Sequence, residues 1–221
     1  MLATLADMPR DPDGFGFEYK WDGVRALLYW DGVDLRLESR NLLDITHRYP
    51  ELWPIEKALR RGPVILDGEI VALDAEGRPS FSLLQRRMHV SQAGRLPHQV
   101  PIIFMIFDVL HHNGRSTMAL PYTERRAILE SLKLSGANWQ TPPWYRGEGR
   151  ALLSAATQTG LEGIVAKRLT SPYEPGRRSR DWLKIKVIQR QEFVIGGWTP
   201  GEGANTGLIG ALLLGYYDPP P

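Results

Sequence analysis

The ten residues from Val64 to Leu73, Val-Ile-Leu-Asp-Gly-Glu-Ile-Val-Ala-Leu, limit the fold more than any other stretch, because they are apolar on both faces of a period-2 segment. Such a strand implies burial. Asp67 and Glu69 lie within it, and a buried carboxylate is costly unless it is paired, hydrogen-bonded or metal-bound. The segment therefore demands partners for two acids, supplied either by a structural salt bridge or by a ligand.

Other strands follow from local pattern. Phe15 to Lys20 alternates so that Glu18 and Lys20 share one face and Phe17 and Tyr19 the other. After Asp22-Gly23, Val24 to Trp30 forms a second strand. Asp31-Gly32 reads as a tight hairpin turn into Val33 to Ser39. Val100 to Leu110 is another apolar strand, within which Ile102 to Phe107 ends at Phe107. Strand signals resume at Ile164 and Leu183. Between them, Asp44 to Arg61 is helical in part, interrupted by Pro50 and Pro54. Ser80 caps a short helix through Arg87, Thr123 one over Glu124 to Leu132, and Arg150 to Thr159 runs to Gly160. Helices and strands mix without regular alternation, which predicts α+β architecture with antiparallel sheets. A compositional break near Ile188 to Gln191 precedes two more strands, Glu192 to Trp198 and Leu208 to Tyr217, joined by the Gly-rich Pro200 to Gly207.

At 221 residues the chain can hold one large domain, or one with a small second one. It has no cysteine, which excludes disulfides and Cys-based zinc sites. The N-terminus lacks the pattern of a signal peptide and no run of 18 apolar residues occurs, so a cytoplasmic location is expected. The net charge of +2 exerts no general pull on nucleic acid. Its distribution is more telling: from Lys167 to Arg190 there are eight basic residues against two acidic ones. Lys184 and Lys186 alternate there with apolar residues, which favours contact with phosphate over a merely solvated face.

The chemistry-bearing residues lie far apart in sequence. Lys20, at the end of its strand before an Asp-Gly turn and Arg25, suits a nucleophilic amine beside a phosphate, provided that positive charge or desolvation lowers its pKa. Glu162 precedes Gly163, whose small size lets backbone approach closely, and its carboxylate suits a metal. His111-His112 lacks a third ligand at useful spacing, and Gly201-Glu202-Gly203 reads as a hairpin loop rather than a phosphate loop.

In order, Lys20-Trp-Asp-Gly-Val-Arg25, Ser39-Arg40, Leu66-Asp-Gly-Glu69, Phe107-Asp-Val-Leu110, Glu162-Gly-Ile-Val-Ala-Lys167, Ser171 to Ser179 and Trp182-Leu-Lys-Ile-Lys186 resemble the covalent nucleotidyltransferases, and among them the ATP-dependent DNA ligases. Phe193 to Trp198 with Gly201-Glu202-Gly203 resembles the bacterial end-joining type. The resemblance implies an antiparallel, ATP-grasp-like nucleotidyltransferase (adenylation) domain over residues 1–188, followed by an incomplete start of an OB-fold over 189–221, and hence a piece of a longer ligase. It further implies that Lys20 attacks the α-phosphate of ATP, that Glu18 contacts the adenine edge and that Phe107 stacks on the ring. Arg25, Arg40 and Glu69 would hold ribose and neighbouring groups. Glu162, with Glu69, would bind Mg²⁺ or Mn²⁺, while Lys184 and Lys186 neutralise phosphate. The implied partners are nicked or broken double-stranded DNA, a Ku-like end-binding protein and polymerase or nuclease domains, in a bacterial, nucleoid-associated setting. Alternatives within the superfamily are an RNA ligase or a guanylyltransferase. A non-catalytic nucleic-acid-binding module is a third.

Overall fold

The computed structural model describes residues 1–59, 62–88, 100–188 and 192–217. Arg60 and Arg61 at the end of the expected helical stretch, most of the compositional break, Arg190 of the basic run and the terminal prolines lie outside the described residues. The chain separates into two units, Met1–Val187 and Ile188–Pro221.

Two sheets build the first unit. In one, the order is β4 (Leu35–Ser39), β3 (Val24–Trp30), β5 (Val64–Ala72), β6 (Ile102–His112) and β7 (Arg115–Ser116), with the short β8 (Trp139–Gln140) also on β6. The apolar Val64 segment lies at its centre, antiparallel to β3 and β6 along its length. In the other, β1 (Leu2–Leu5), β11 (Arg178–Lys186), β10 (Gly163–Arg168), β2 (Phe15–Tyr19) and β9 (Tyr145–Arg146) lie in that order. All pairings in the two sheets are antiparallel except β1 on β11 and β8 on β6, so the α+β antiparallel expectation describes the architecture.

Period-2 geometry decides which side chains each sheet buries. Ala26, Leu28, Leu66, Ile70, Phe104 and Ile106 turn to one face of the β5 sheet. There they meet Leu52 and Ile55 of a 3₁₀ segment, Leu84 of α1 (Phe81–Met88) and Leu129 of α2 (Tyr122–Ser131). Phe15, Phe17, Ile164, Ala166, Leu183 and Ile185 form a second core with Leu152 and Ala156 of α3 (Gly149–Gln158). Met1, Leu110, Tyr173 and Trp182 make a smaller third cluster. The opposite strand faces share the third cluster and line one cavity, with Arg25 and Glu69 from one sheet and Glu18, Lys167 and Lys184 from the other.

Several boundaries differ from the sequence reading for physical reasons. Phe107 does not end its strand: Asp67 pairs with Asp108 and Gly68 with Ile106, so Phe107 sits in a β-bulge and the strand continues to His112. The polar Asp108 is tolerated because Arg125 donates two hydrogen bonds to its buried carboxylate, at 2.8 and 3.0 Å. Helix α2 starts at Tyr122 with Pro121 as its N-cap, whereas the Thr123 amide and hydroxyl both turn to the Leu169 carbonyl. Asp31-Gly32 belongs to a four-residue turn, in which the Asp31 carboxylate accepts from the Val33 and Asp34 amides at 2.8 Å each and β4 begins at Leu35. The helical part of 44–61 is 3₁₀, over Thr46–Arg48 and Pro50–Lys57, as its prolines require. Strands β1, β7, β8 and β9 have no counterpart in the sequence reading.

The second unit is a two-stranded hairpin, β12 (Val194–Pro200) and β13 (Ile209–Gly215), joined by a segment with one 3₁₀ turn at Gly203–Asn205.

Candidate active site

Lys20 follows directly on β2, and its amide donates to the Gly163 carbonyl at 2.9 Å, so the β2–β10 ladder fixes its backbone. Gly163 at this point has φ +149°, and a Cβ there would strike the Ile185 carbonyl of β11. This close approach brings Lys20, Glu162 and Lys186 together. The Lys20 ammonium pairs with Glu162 Oε2, and Lys186 Nζ lies 2.8 Å from Glu162 Oε1. Burial pushes the Glu162 carboxyl up, but hydrogen bonds from Lys186 and Lys20 outweigh it and hold the group below its ordinary value. The same bond raises Lys186. Asp22 is raised, first by burial and then by the charge of Glu162.

A cavity of about 150 Å³ opens beside Lys20. Glu18, Val165, Lys167, Trp182 and Lys184 line it from β2, β10 and β11; Arg25, Glu69 and Phe107 line it from β3, β5 and β6. Val165 pairs with both Glu18 and Lys184, and Lys167 with Trp182, so register alone places these side chains in two adjacent rows.

Glu18 is almost fully buried and held from three sides. Its Oε1 accepts from the Tyr122 hydroxyl at 2.5 Å and from Lys167 Nζ at 3.0 Å, with Lys167 Nζ also 2.9 Å from Oε2 and Arg126 3.8 Å from Oε1. The Lys167 ammonium also lies 4.4 Å from the Phe107 ring centroid and 4.3 Å from that of Trp182. Burial lowers its pKa against the pull of Glu18. The sequence reading gave Lys167 no separate role.

Arg25 is locked in place. It donates to Asp67 at 2.9 and 2.6 Å, to the Met1 carbonyl at 2.7 Å and to the Tyr173 hydroxyl at 3.2 Å, while Tyr173 donates to Asp67 at 2.7 Å. The salt-bridge reading of Asp67 is thereby realised. Glu69, one pleat along, has no such partner among the described residues, and burial pushes its carboxyl up to about 8 despite Arg25 and Lys20 nearby. Arg40 is exposed and stands apart from the first cavity. It lines two neighbouring ones of about 670 and 410 Å³, which share Arg25, and the second also Glu69.

Glu69 and Glu162 offer hard oxygen donors suited to Mg²⁺ or Mn²⁺, which commonly bind one or two carboxylates and complete their shell with water and phosphate. No group of three or more ligating side chains gathers among the described residues, and Glu162 does not line the cavity that Glu69 lines. No helix among those residues is long and apolar enough to cross a membrane.

Comparison with known proteins gives a consistent result. The family described as ATP-dependent DNA ligase domain matches residues 1–186. The multifunctional non-homologous end joining protein LigD of Mycolicibacterium smegmatis is 39% identical over 220 residues, covering 99% of this chain and 28% of that protein. LigD of Pseudomonas aeruginosa is 40% identical over 223 residues, covering 99% and 25%. The chain thus spans about a quarter of these relatives. Among solved structures, the ligase domain of LigD from M. tuberculosis superposes with a TM-score of 0.74 at 37% identity, over 99% of this chain and 68% of that one. The mycobacterial DNA ligase D complexed with ATP gives 0.74 at 36%, over 97% and 66%.

Proposed function

Because the chain belongs to the ATP-dependent DNA ligase domain family, we propose that it is the adenylation part of a bacterial end-joining DNA ligase, with Lys20 as its nucleophile. The observation that carries this reading is the convergence of Lys20, Glu18, Arg25, Glu69, Phe107 and Lys184 on one cavity, although they arise from five strands or their ends.

In this reading the neutral Lys20 amine attacks the α-phosphorus of ATP. An N–P bond forms, the bond to the pyrophosphate oxygen breaks with its electron pair leaving on pyrophosphate, and the amine proton passes to solvent. Glu162, in contact with Nζ, keeps the amine at the mouth of the cavity. Glu18 accepts from the 6-amino group of adenine, and Lys167 donates to a neighbouring ring nitrogen. Phe107 supplies a stacking surface, while Arg25 and Glu69 hold the ribose. Arg40, outside that cavity, would contact groups beyond the ribose. Lys184 and Lys186 neutralise charge that develops on the phosphate, the term that dominates catalysis of phosphoryl transfer. Glu69 and Glu162 would hold a Mg²⁺ or Mn²⁺ ion, which would contribute charge neutralisation at the phosphates. AMP then passes to the 5′-phosphate of nicked or broken double-stranded DNA and is displaced by a 3′-hydroxyl. The names of the relatives support a place in end joining; a Ku-like partner, flanking polymerase or nuclease domains and a nucleoid location complete the proposal.

The test is the mass of the purified protein after incubation with ATP and Mg²⁺ or Mn²⁺. An adduct of one AMP that vanishes in Lys20→Ala supports the reading. An adduct surviving that substitution, or none even in a chain extended through a complete barrel, defeats it.

A further inference from the structure

One face of α2 is joined to the base-recognition end of the cavity and has no part in the chemistry above. Tyr122, Arg126 and Glu130 are spaced four residues apart and so lie one above another along the helix. Tyr122, at the first turn, is fully buried and donates to Glu18 Oε1 at 2.5 Å, across 104 residues of sequence. Arg126 donates to Glu130 at 3.2 Å and to the Pro142 carbonyl at 2.8 Å. Trp144 closes the arrangement: its indole N–H donates to Glu130 at 3.0 Å, and its ring packs edge-on against Tyr122 with centroids 5.6 Å apart.

We propose that Tyr122 is a positioning residue for base selection, whose hydroxyl orients Glu18 so that one free acceptor direction meets the 6-amino group of adenine. The argument rests on the adenylation reading and on acceptor arithmetic. A carboxylate has about four lone-pair directions. On Glu18, Oε1 receives hydrogen bonds from Tyr122 and Lys167, with Arg126 3.8 Å away, while Oε2 has the Lys167 ammonium at 2.9 Å but no hydrogen bond from it, so Oε2 is the oxygen with room for a ligand donor. An amino group satisfies it, whereas the 6-oxo group of guanine sets acceptor against acceptor. Lys167 alone would allow the carboxylate to turn about its ammonium. The Tyr122 hydroxyl, fixed by a ring wedged against Trp144, removes that freedom. Burial and the charge of Glu18 hold the phenol well above its ordinary pKa, so it remains a donor.

The experiment measures nucleotide affinity of the full chain without divalent metal, which blocks chemistry, through the fluorescence of Trp21 and Trp182 in the cavity wall. ATP is compared with purine riboside triphosphate, which lacks the 6-amino group, and with GTP. Tyr122→Phe keeps the ring and deletes the hydroxyl. It is expected to weaken ATP by roughly five- to tenfold, the value of one hydrogen bond, to leave purine riboside triphosphate within about twofold, and so to collapse the preference between them. Trp144→Phe, which loosens the wedge but leaves the hydroxyl in place, should reduce the preference less than Tyr122→Phe does. Equal losses on both nucleotides in Tyr122→Phe, no loss on either, or a larger effect of Trp144→Phe overturns the proposal. If the parent chain binds no ATP, the adenylation reading falls with it; if it binds ATP and Tyr122→Phe keeps the preference, only the role of Tyr122 falls.

Discussion

Asp67→Asn offers the sharpest test of how the two sheets are held around the site. Its carboxylate is fully buried and accepts three hydrogen bonds, two from Arg25 at 2.9 and 2.6 Å and one from Tyr173 at 2.7 Å. Removing one partner of a buried pair costs about 3–5 kcal/mol, mostly through the stranded charge. The Arg25 side chain keeps 20% of its exposure and the Met1 carbonyl as acceptor, which places the loss near the lower end, about 3 kcal/mol. For a unit of this size that is a fall in Tm of roughly 6–12 °C. The effect also carries a pH signature. Burial alone would raise the Asp67 carboxyl, but Arg25 outweighs it and holds the group below 3.8. The unfolded chain therefore takes up its proton first as pH falls. The stabilisation is whole above 3.8 and is lost as pH drops through the lower folded value. Urea unfolding of parent and variant at pH 7, 5 and 3.5 should give a gap that is constant between the first two and narrows at the third. A gap under about 1 kcal/mol at pH 7 would show that the buried cluster does not carry the load assigned to it. So would a gap that is undiminished at pH 3.5.

Gly163→Ala should cost at least about 2–3 kcal/mol in urea unfolding, from a strained φ together with a collision on the Ile185 carbonyl. Lys167→Met, read by ATP titration, should lower affinity roughly tenfold, because Glu18 loses its ammonium partner and the base loses a donor. Arg87→Met should destabilise by about 3–4 kcal/mol while leaving ATP affinity unchanged, since Arg87 is 1% exposed, pairs with Glu51 and donates to the Arg48 and Val100 carbonyls, all outside the first cavity. Equal affinity with unchanged thermal stability would refute that assignment.

What could be read from the sequence was whatever depends on near neighbours. Alternation in Phe15–Tyr19 and Val24–Trp30 marks both strands, because one face of each packs on a core. The same parity held an unused signal: Val165 and Lys167 are on the face opposite Ile164 and Ala166, so once those two are assigned to the core Lys167 has to face the cavity. Long-range pairing was out of reach. Four residues, Leu2–Leu5, form a strand only because Arg178 to Lys184 lies beside them, and nothing in Leu-Ala-Thr-Leu reports that. Phe107 was misread for a related reason. Asp108 looks like a strand terminator until Arg125, 17 residues away, neutralises it. Arg40 belongs to the same ordered set of motifs as the cavity residues but opens onto adjoining spaces, a separation that only the tertiary arrangement shows.

The division of strands between the sheets has a consequence for how the protein is made. The sheet of β3 to β7 is contiguous from Val24 to Ser116, apart from the short β8, whereas the β2 strand that leads into Lys20 must wait for β10 and β11, some 150 residues on. A chain emerging from the ribosome can therefore close one sheet early, while the other, with its long loop to close, forms late. Until β10 and β11 arrive, Lys20 is an ordinary solvated lysine. Glu162, which pairs with Lys20, and Lys184 and Lys186 arrive only with this late sheet, so partly synthesised chains carry the proposed nucleophile without them.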